Sequence, residues 1–320
     1  MSSMPFEKPI NDIQNKIAEL RKLSNGHADF TAEIQKLEQK MGSVREKVYS
    51  TLSAWQRVQI ARHPKRPYTL DYIGTMMTDF VEIHGDRLFA DDFAMITGFA
   101  KIDDEMVVVI GHQKGRDTSE NVKRNFGCAH PEGYRKAMRA MRLAEKFGLP
   151  VVVFIDTPGA YPGIGAEERG QAQAIAENLR DMAGLRTPII ATVIGEGGSG
   201  GALGVGVADY VMILQNAYYS VISPEGCASI LWRSATKAPE ASEALKLTGE
   251  HLIKFGIVDE IIAEPLGGAH HDQEVVVATL KSAILKQVKR LNGLKEKDLL
   301  DARYAKFRAI GKFTTVGAKA

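Results

Sequence analysis

The sequence predicts a layered α/β domain whose strands are covered on both faces, preceded by a helical region. Unbroken apolar runs are typical of strands buried on both sides. Helical segments at 132–148, at 166–183 and after Ser199 alternate with these runs, as they do in layered α/β folds. The apolar runs are MVVVIG at 106–111, PVVVFIDT at 150–157, PIIATVIG at 188–195 and YVMIL at 210–214.

The N-terminal region predicts a helical hairpin. Apolar residues recur at spacings of three and four from Ile10 to Leu20 and again from Ile34 to Val48, with the polar stretch SNGHAD between them. That period is typical of amphipathic helices, which bind a partner or pack on their own domain. We therefore divide the chain into a hairpin at 1–55, a main domain at 56–293 and a C-terminal tail at 294–320, the main domain closing with a helix at 276–291.

The amino-acid composition limits which kinds of binding partner are expected. Of 320 residues, 44% are hydrophobic and 25% are charged, and 41 Lys and Arg nearly balance 39 Asp and Glu. Because the opposite charges nearly cancel, the overall electrostatic field of the protein is weak, which argues against nucleic acid or a membrane surface as the main partner. Cys128 and Cys227 form no CxxC pair, which favours a reducing compartment and argues against a metal site built by this chain. No apolar stretch approaches the roughly 20 residues of a membrane span, so we expect a cytoplasmic protein.

The stretch VIGEGGSGGALGVG at 193–206 raises the question of why one turn needs so much bare backbone. Seven of its twelve positions from Gly195 to Gly206 are glycine, although each glycine costs about 0.5–1 kcal/mol relative to alanine in regular structure. Gly195, Gly197 and Gly200 fit the dinucleotide pattern GxGxxG, but the following helix is too short and the next strand does not end in an acidic residue. A Walker loop is excluded because no lysine follows the glycines.

A nucleophile elbow is the second interpretation, because Ser199 lies in a GxSxG pattern between a strand and a helix. Asp209 or Glu225, followed by His251 or His270, would complete the hydrolase order. A helix N-cap at Ser199 explains the same residue with fewer assumptions.

An oxyanion hole is the third interpretation, in which backbone N–H groups bind a developing negative oxygen and a Cβ would occupy the substrate's space. The stretch FIDTPGAYPGIGAEERG at 154–170 supports it, because it is a second glycine-rich turn between a strand and a helix. Glu167 and Glu168 fall in the first helical turn, where carboxylates meet the helix dipole favourably. Two such turns side by side would make a cleft floored by backbone amides.

Several long motifs resemble one family, the carboxyltransferase alpha subunit of bacterial acetyl-coenzyme A carboxylase. The similarity spans about residues 5–295. The motifs that carry it are DTPGAYPGIGAEERGQ, IGEGGSGGALGVG, SPEGCASILW, RHPKRPYTLDY, GHQKGR, NFGCAHPEGYRKA and EPLGGAH.

This resemblance implies a crotonase-like fold of repeated ββα units and a part in making malonyl-coenzyme A for fatty acid biosynthesis. The carboxyl group would pass from carboxybiotin on a carrier protein to acetyl-coenzyme A, with biotin rather than a side chain accepting the proton. The implied partners are a zinc-ribbon beta subunit, the biotin carboxyl carrier protein and a biotin carboxylase that uses ATP. An assembly of two alpha and two beta subunits is implied, and no metal in this chain.

By motif position, the resemblance places the backbone oxyanion hole for biotin at Gly200 and Gly201. Gly197 and Gly198 would shape the approach, and Gly159 and Ala160 would line the opposing wall.

Other candidates have a structural explanation beside the functional one. Glu225 lies where hydratases of the wider superfamily keep a catalytic glutamate, but an acid after proline at a helix start is commonly a cap or dipole partner. A cationic stripe at Arg135, Arg139, Arg142 and Lys146 could attract phosphates or form a solvated face, as could Lys114, Lys123 and Arg124. His270 and His271 could bind metal or serve a turn. Two alternatives for the whole chain stay open, a serine hydrolase using Ser199 and a non-catalytic scaffold.

Overall fold

A computed structural model describes residues 4–24 and 29–311 of the chain, and the strands of this part form one 8-stranded sheet. The strands are β1 Thr78–Glu82, β2 Met95–Ile102, β3 Glu105–His112, β4 Val151–Thr157, β5 Ile189–Gly198, β6 Tyr210–Leu214, β7 Tyr218–Ser220 and β8 Glu260–Ile262. The α-helices are α1 Lys8–Ser24, α2 Thr31–Ser50, α3 Ala54–Ala61, α4 Thr69–Met76, α5 Thr118–Lys123, α6 Pro131–Phe147, α7 Ile164–Glu168, α8 Gln171–Ala183, α9 Ser199–Leu203, α10 Pro224–Trp232, α11 Ala238–Leu245, α12 Gly249–Lys254, α13 Gln273–Asn292 and α14 Glu296–Arg308.

The sheet has the order β1-β2-β3-β4-β5-β6-β8, and β7 pairs with the end of β5. The pairs β1–β2 and β2–β3 are antiparallel, while the pairs from β3 to β8 are parallel. All four predicted strands are confirmed as β3, β4, β5 and β6. Helices connect the parallel strands, so the carboxyl ends of β4 and β5 meet at one edge of the sheet.

Helices cover the sheet on both faces, because every residue of β4 and β5 is buried. Helix α6 packs on α8 and on β2 and β3, while α13 packs on α4, β5 and β8. The helix predicted at 166–183 differs from the structure, which divides it into α7 and α8 at Gly170. This residue has φ +80°, a left-handed conformation that ends a helix and that glycine adopts without strain.

Local sequence signals fix several of these boundaries. Helix α3 begins at Ser53, whose hydroxyl accepts a hydrogen bond from the Gln56 N–H at 3.2 Å, and α13 begins at Asp272, which caps the Val275 N–H at 3.2 Å. Helix α6 ends at Gly148 with φ +65°, the left-handed cap that favours glycine.

The predicted helical hairpin is present as α1 and α2, joined by an ion pair of Arg21 with Glu38 at 2.7 Å; residues 25–28 between them lie outside the described residues. The hairpin packs on its own domain through a buried apolar cluster of Met4, Ile10, Tyr49 and Ile60. The Tyr49 hydroxyl donates to Glu7 at 2.6 Å, which ties the chain's beginning to α2.

The segment beyond residue 293, predicted as a tail, contains α14, which docks on the domain. Arg303 is 1% exposed and forms an ion pair with Asp209 at 2.7 Å. Its guanidinium also donates to the carbonyls of Met182, Leu185 and Thr187 at 2.7 to 2.9 Å. Residues 312–320, which hold most of the end expected to be loose, lie outside the described residues. Across the described ranges, none of the helices is both long and apolar enough to span a membrane.

Candidate functional site

The two glycine-rich turns leave neighbouring parallel strands and touch each other. Strand β4 ends at Thr157, which pairs with Gly197 near the end of β5. A Cβ on Gly201 would lie 2.5 Å from the nitrogen of Ala160, closer than any real packing contact. The sequence-predicted residues 159–160 and 197–201 are therefore brought together at one edge of the sheet.

Glycine is present in these turns for two different structural reasons, close packing at some positions and open space at others. A Cβ on Gly198 would overlap the Pro158 carbonyl, and one on Gly201 would overlap the backbone of Gly159, so both allow the turns to pack. Gly197 is confined by Tyr219, 2.8 Å from its hypothetical Cβ. Gly200 and Gly159 face more open surroundings: the Gly200 Cβ would meet only Ile175 at 3.7 Å and the Gly159 Cβ nothing within 4 Å. Space for a ligand therefore lies at Gly200 and Gly159.

Free backbone donors lie at the start of α9. Among the described residues, the N–H groups of Gly200 and Gly201 have no hydrogen-bond acceptor, which is expected in the first turn of a helix. By contrast, the N–H of Gly159 donates to Thr157 Oγ1 at 3.1 Å. The N–H groups of Gly200 and Gly201 are therefore available as donors, whereas that of Gly159 is already engaged.

The N-cap prediction for Ser199 is wrong. Gly198 is the N-cap of α9, and as a glycine it has no side chain to cap the first N–H groups. Ser199 follows it with φ +53°. The sharp strand-to-helix turn requires this positive φ at Ser199, so its side chain projects beside the helix start and not over the first amides.

The structure does not assemble a catalytic triad around Ser199. Asp209 is held by Arg303, Thr248 Oγ1 lies 3.0 Å from the His251 ring, and the His270 ring stacks on His63 at 3.8 Å. Within the described ranges, Ser199 has no hydrogen bond to a histidine or a carboxylate. The serine hydrolase alternative therefore lacks its base.

An apolar cavity of about 330 Å³ opens beside Gly200 of α9. Ser199 and Gly200 form part of its wall, and most of the remaining lining is apolar. The apolar lining residues are Leu203, Val211, Val221, Leu252, Ile257, Phe307 and Ile310. The cavity has the size and character of a small-molecule pocket, and Gly200, whose N–H is free, lies in its wall.

A cluster of charged residues lies directly behind the two turns. Lys114, which follows β3, donates to Asp156 at 2.6 Å and to Glu196 at 2.7 Å. Arg62 donates to Glu196 at 2.6 Å and to Glu225 at 2.5 Å. The hydroxyl of Tyr218 also donates to Glu196, at 2.6 Å. We call these residues the turn cluster; on one side it opens to a cavity of about 180 Å³ bordered by Pro158.

The turn cluster shifts the pKa values of its members. Burial disfavours the charged carboxylate of Glu196, but Lys114 and Arg62 hold its pKa at about 2. Burial raises the pKa of Asp156 in spite of Lys114. Burial also disfavours a charged Lys114, but the two carboxylates raise the pKa of its ammonium overall. Close by, burial and then Lys114 lower the pKa of His112 to about 3, so this imidazole is neutral.

The other sequence candidates make intrachain contacts. Glu225 bonds to Arg62, and its side chain is 37% exposed. In the predicted cationic stripe, Arg135 pairs with Asp86 at 2.8 Å, Arg139 donates to the carbonyls of His84 and Gly85, Arg142 pairs with Asp181, and the Lys146 ammonium lies over the Phe147 ring. These arginines fasten neighbouring segments, so the stripe is not the free phosphate-binding face considered from the sequence.

The remaining cations and histidines are also engaged. Lys123 lies over the Phe93 ring at 4.4 Å, and Arg124 pairs with Glu120 at 2.9 Å. His271 bonds to Arg45 at 2.9 Å. In the described part of the chain, no three His, Cys, Asp or Glu side chains gather as a metal site would require.

Sequence reasoning missed Arg62, Asp156, Glu196 and Tyr218 at this edge of the sheet, and it considered Lys114 only as a cation that attracts phosphates or belongs to a solvated face. The signal that could have found them is an acid at the carboxyl end of an otherwise apolar strand, as in FIDT and VIGEGG. In α/β sheets this end is where ligands bind.

The comparisons with known proteins agree with this geometry. A family model described as acetyl co-enzyme A carboxylase carboxyltransferase-like matches residues 3–311. The acetyl-coenzyme A carboxylase carboxyl transferase subunit alpha of Geobacter metallireducens is 54% identical over 97% of this chain and 98% of its own length. The subunit of the same name from Pseudomonas aeruginosa is 57% identical over 96% and 98%. The chain therefore belongs to the acetyl-coenzyme A carboxylase carboxyltransferase family, as its motifs predict.

Solved structures with low sequence identity share the fold. Transcarboxylase 12S with methylmalonyl-coenzyme A and methylmalonic acid bound has a TM-score of 0.55 at 18% identity, over 82% of this chain and 47% of that one. A Pseudomonas malonate decarboxylase hetero-tetramer in complex with coenzyme A has a TM-score of 0.56 at 16% identity, over 68% and 89%. The predicted crotonase-like fold is confirmed.

Proposed function

We propose that this chain is the alpha subunit of a carboxyltransferase that moves a carboxyl group from carboxybiotin on a carrier protein to acetyl-coenzyme A, giving malonyl-coenzyme A. The single observation that carries the proposal is the pair of free N–H groups at Gly200 and Gly201, of which Gly200 lines the 330 Å³ cavity. Family membership supplies the reaction class.

The site residues fit the chemistry of biotin. Its fused rings are apolar and suit the lining of the 330 Å³ cavity, while its ureido oxygen is an acceptor for main-chain donors. Gly200 and Gly201 would hold that oxygen, Gly197 and Gly198 would shape the approach, and Gly159 and Ala160 would form the opposing wall. When bound, carboxybiotin supplies the carboxyl group and then accepts a proton.

The residues of this chain bind and orient during the reaction. Donors fixed by a helix start require no reorganisation when negative charge grows on an oxygen, and losing one such donor typically costs about 3–4 kcal/mol in transition-state energy. No side-chain base beside Gly200 is required, which agrees with Ser199 lacking a histidine partner.

A beta subunit would complete the site. Exposed apolar side chains follow β7, at Val221, Ile230 and Leu231, which are 76%, 72% and 65% exposed. Exposed apolar surface of this kind marks protein interfaces, and Val221 also lines the cavity. The biotin carboxyl carrier protein and an ATP-using biotin carboxylase would act on the same cytoplasmic assembly, whose core would hold two alpha and two beta subunits.

The test is reconstitution with a bacterial beta subunit of this family, following malonyl-coenzyme A-dependent carboxylation of free biotin. We expect activity only from the mixture. The Gly200→Val variant keeps its N–H but adds a branched side chain beside it, and a substrate displaced by that side chain should lower kcat by at least about 100-fold, while co-purification with the beta subunit persists. Gly42→Val, at a helical position with nothing within 4 Å of the added Cβ, is the matched control and should keep full activity.

Two results would contradict the proposal. If the mixture is no more active than either chain alone, the proposed reaction is refuted. If the Gly200→Val enzyme has unchanged turnover, the proposed site at Gly200 is refuted. A Ser199→Ala enzyme that keeps its activity excludes the serine hydrolase mechanism. The scaffold alternative predicts instead that no glycine substitution affects turnover.

A further inference from the structure

Lys114 joins the two strands from which the glycine-rich turns leave. Its ammonium lies 2.6 Å from Asp156 Oδ1 and 2.7 Å from Glu196 Oε2. Asp156 stands three residues before Gly159, and Glu196 directly precedes Gly197 and Gly198. One cation therefore bridges the residues that lead into both turns.

The backbone is irregular where this bridge forms. Strands β4 and β5 pair regularly up to Ile155 and Val193, and pairing resumes only at Thr157 and Gly197. One residue of β4, Asp156, thus stands opposite three residues of β5. The Glu196 N–H donates to Asp156 Oδ1 at 2.9 Å. Such bulges redirect a strand beside active sites, and here the turn positions depend on the Asp156 side chain.

The charges at this bulge do not balance without Lys114. The side chains of Asp156 and Glu196 are 1% and 8% exposed, so water screens their mutual repulsion poorly. Arg62 and Tyr218 contact Glu196, whereas Lys114 is the one residue that forms an ion pair with Asp156 among the described residues. Asp156 Oδ2 has no hydrogen bond at all there.

We propose that Lys114 is a positioning residue, whose bridge between Asp156 and Glu196 holds the two glycine-rich turns at the separation that aims the Gly200 and Gly201 N–H groups at the substrate oxygen. The inference rests on the proposed function, since it deepens the role of the same site. The Lys114 side chain is 12% exposed, and its ammonium donates to these two carboxylates.

Replacing Lys114 with methionine keeps an unbranched side chain, one atom shorter, and removes its charge. Two buried carboxylates then face each other, and one of them takes up a proton because like charges this close do not both ionise. As the pH rises through that raised pKa, the repulsion returns and the turns separate. The variant should therefore work best at low pH and lose activity as the pH rises. The titratable or charged groups around Lys114, Asp156 and Glu196 are Arg62, Arg66, Tyr68, Tyr72, His112, Cys128, Tyr218 and Glu225.

The experiment compares kcat and KM of the reconstituted pair from about pH 6 to pH 9. For Lys114→Met we expect kcat to fall about 100-fold at the alkaline end, the effect of a small misplacement, and the loss to shrink toward the acid end. The KM for malonyl-coenzyme A should stay the same. Lys114→Met/Asp156→Asn, which restores the charge balance, should recover most of kcat and lose the pH dependence, and Lys114→Arg should retain most of the wild-type rate.

The matched control is Lys136→Met. Lys136 is 1% exposed, against 12% for Lys114, and its ammonium lies 2.6 Å from Asp91 Oδ1 and 2.7 Å from the Asp92 carbonyl, with no bond to Asp156 or Glu196. It should lower the melting temperature without changing the pH profile of kcat. A Lys114→Met enzyme with wild-type kcat, or a double variant no better than the single one at every pH, would overturn the inference.

Two further measurements keep the inference testable if a variant or the assay fails. If Lys114→Met does not fold, Asp156→Asn alone removes one arm of the bridge and should lower kcat about tenfold; a wild-type kcat overturns the inference. If the wild-type pair shows no transfer, the proposed function fails on its own. Hydrogen exchange of residues 195–206 in Lys114→Met then decides the inference, since we expect faster exchange than in Lys136→Met and unchanged exchange refutes it.

Discussion

Strand β5 is held at its two ends by buried ionic clusters that differ in how completely their polar atoms are paired. At its amino end, Arg303 and Asp209 are 1% and 3% exposed, and Asp209 also accepts the Ile189 N–H at 2.7 Å. At its carboxyl end, the turn cluster includes Arg62, which is 29% exposed, and Asp156, which has an unpaired oxygen.

This difference separates a structural cluster from a functional one. Every direction around the Arg303 guanidinium is used by a carbonyl or a carboxylate, so nothing is left for a ligand. The turn cluster lines the 180 Å³ cavity through Arg62, Lys114 and Glu196, and its charges are only partly balanced. Unsatisfied buried polar atoms and shifted pKa values concentrate where proteins do chemistry. We call the Arg303–Asp209 group the closed cluster and infer that it stabilises the fold. We infer that the turn cluster, which is open to a cavity, shapes the site.

The largest effect that we expect from this comparison is the loss of folding stability when the pair of Arg303 and Asp209 is broken. Arg303→Met leaves Asp209 buried without its cation, and removing one partner of a buried pair typically costs about 3–5 kcal/mol in the free energy of unfolding. Denaturant or thermal unfolding measures it. Arg303→Met/Asp209→Asn should recover part of the loss, and Arg142→Met, at a 64% exposed arginine, should change little. A melting temperature unaffected by Arg303→Met would show that α14 contributes nothing to the domain.

A second, smaller effect distinguishes two adjacent glycines of α9. Gly201→Ala forces a Cβ against the backbone of Gly159 and Ala160, and overpacking of this kind costs about 1–3 kcal/mol. Gly200→Ala meets only Ile175 at an ordinary 3.7 Å, and alanine in a helix is favoured by about 0.5–1 kcal/mol over glycine. Unfolding of the two variants side by side measures the difference. Equal stabilities would mean that the two turns do not pack as described.

The strands of the sheet's centre were predictable because their signal is local. Strands β3 to β6 are unbroken apolar runs, and burial on both faces requires that pattern. The break at Gly170 was not predictable in the same way, because a single glycine is tolerated inside a helix, and it is the left-handed backbone conformation of Gly170 that divides α7 from α8. Helix α14 was missed because it holds a buried arginine, Arg303, and few apolar residues. Its partner, Asp209, lies almost a hundred positions earlier, and sequence spacing cannot show such a pairing.

The glycine turns of the site were predictable, whereas the residues behind them were not. A density of seven glycines in twelve positions has few explanations, and parallel strands place two such turns side by side. The role of Lys114 depends on a three-way contact of β3, β4 and β5, which no single segment encodes. Ser199 shows the opposite error, since a serine at a helix start favours a cap, yet the sharp turn places Gly198 in that position.

The smallest expected effect concerns Glu225, the outermost member of the turn cluster. Its carboxylate contacts Arg62 at 2.5 Å, but it is 37% exposed and Arg62 keeps Glu196 as a partner without it. Glu225→Gln should therefore change the free energy of unfolding by less than about 1 kcal/mol, as exposed ion pairs do, and lower kcat of the reconstituted pair by less than about threefold. Steady-state kinetics measure this beside Glu240→Gln, an exposed acid of α11 that pairs with Lys237. A loss of about 100-fold or more confined to Glu225→Gln would place this acid in the reaction, and the boundary between the open cluster and the catalytic site would then include it.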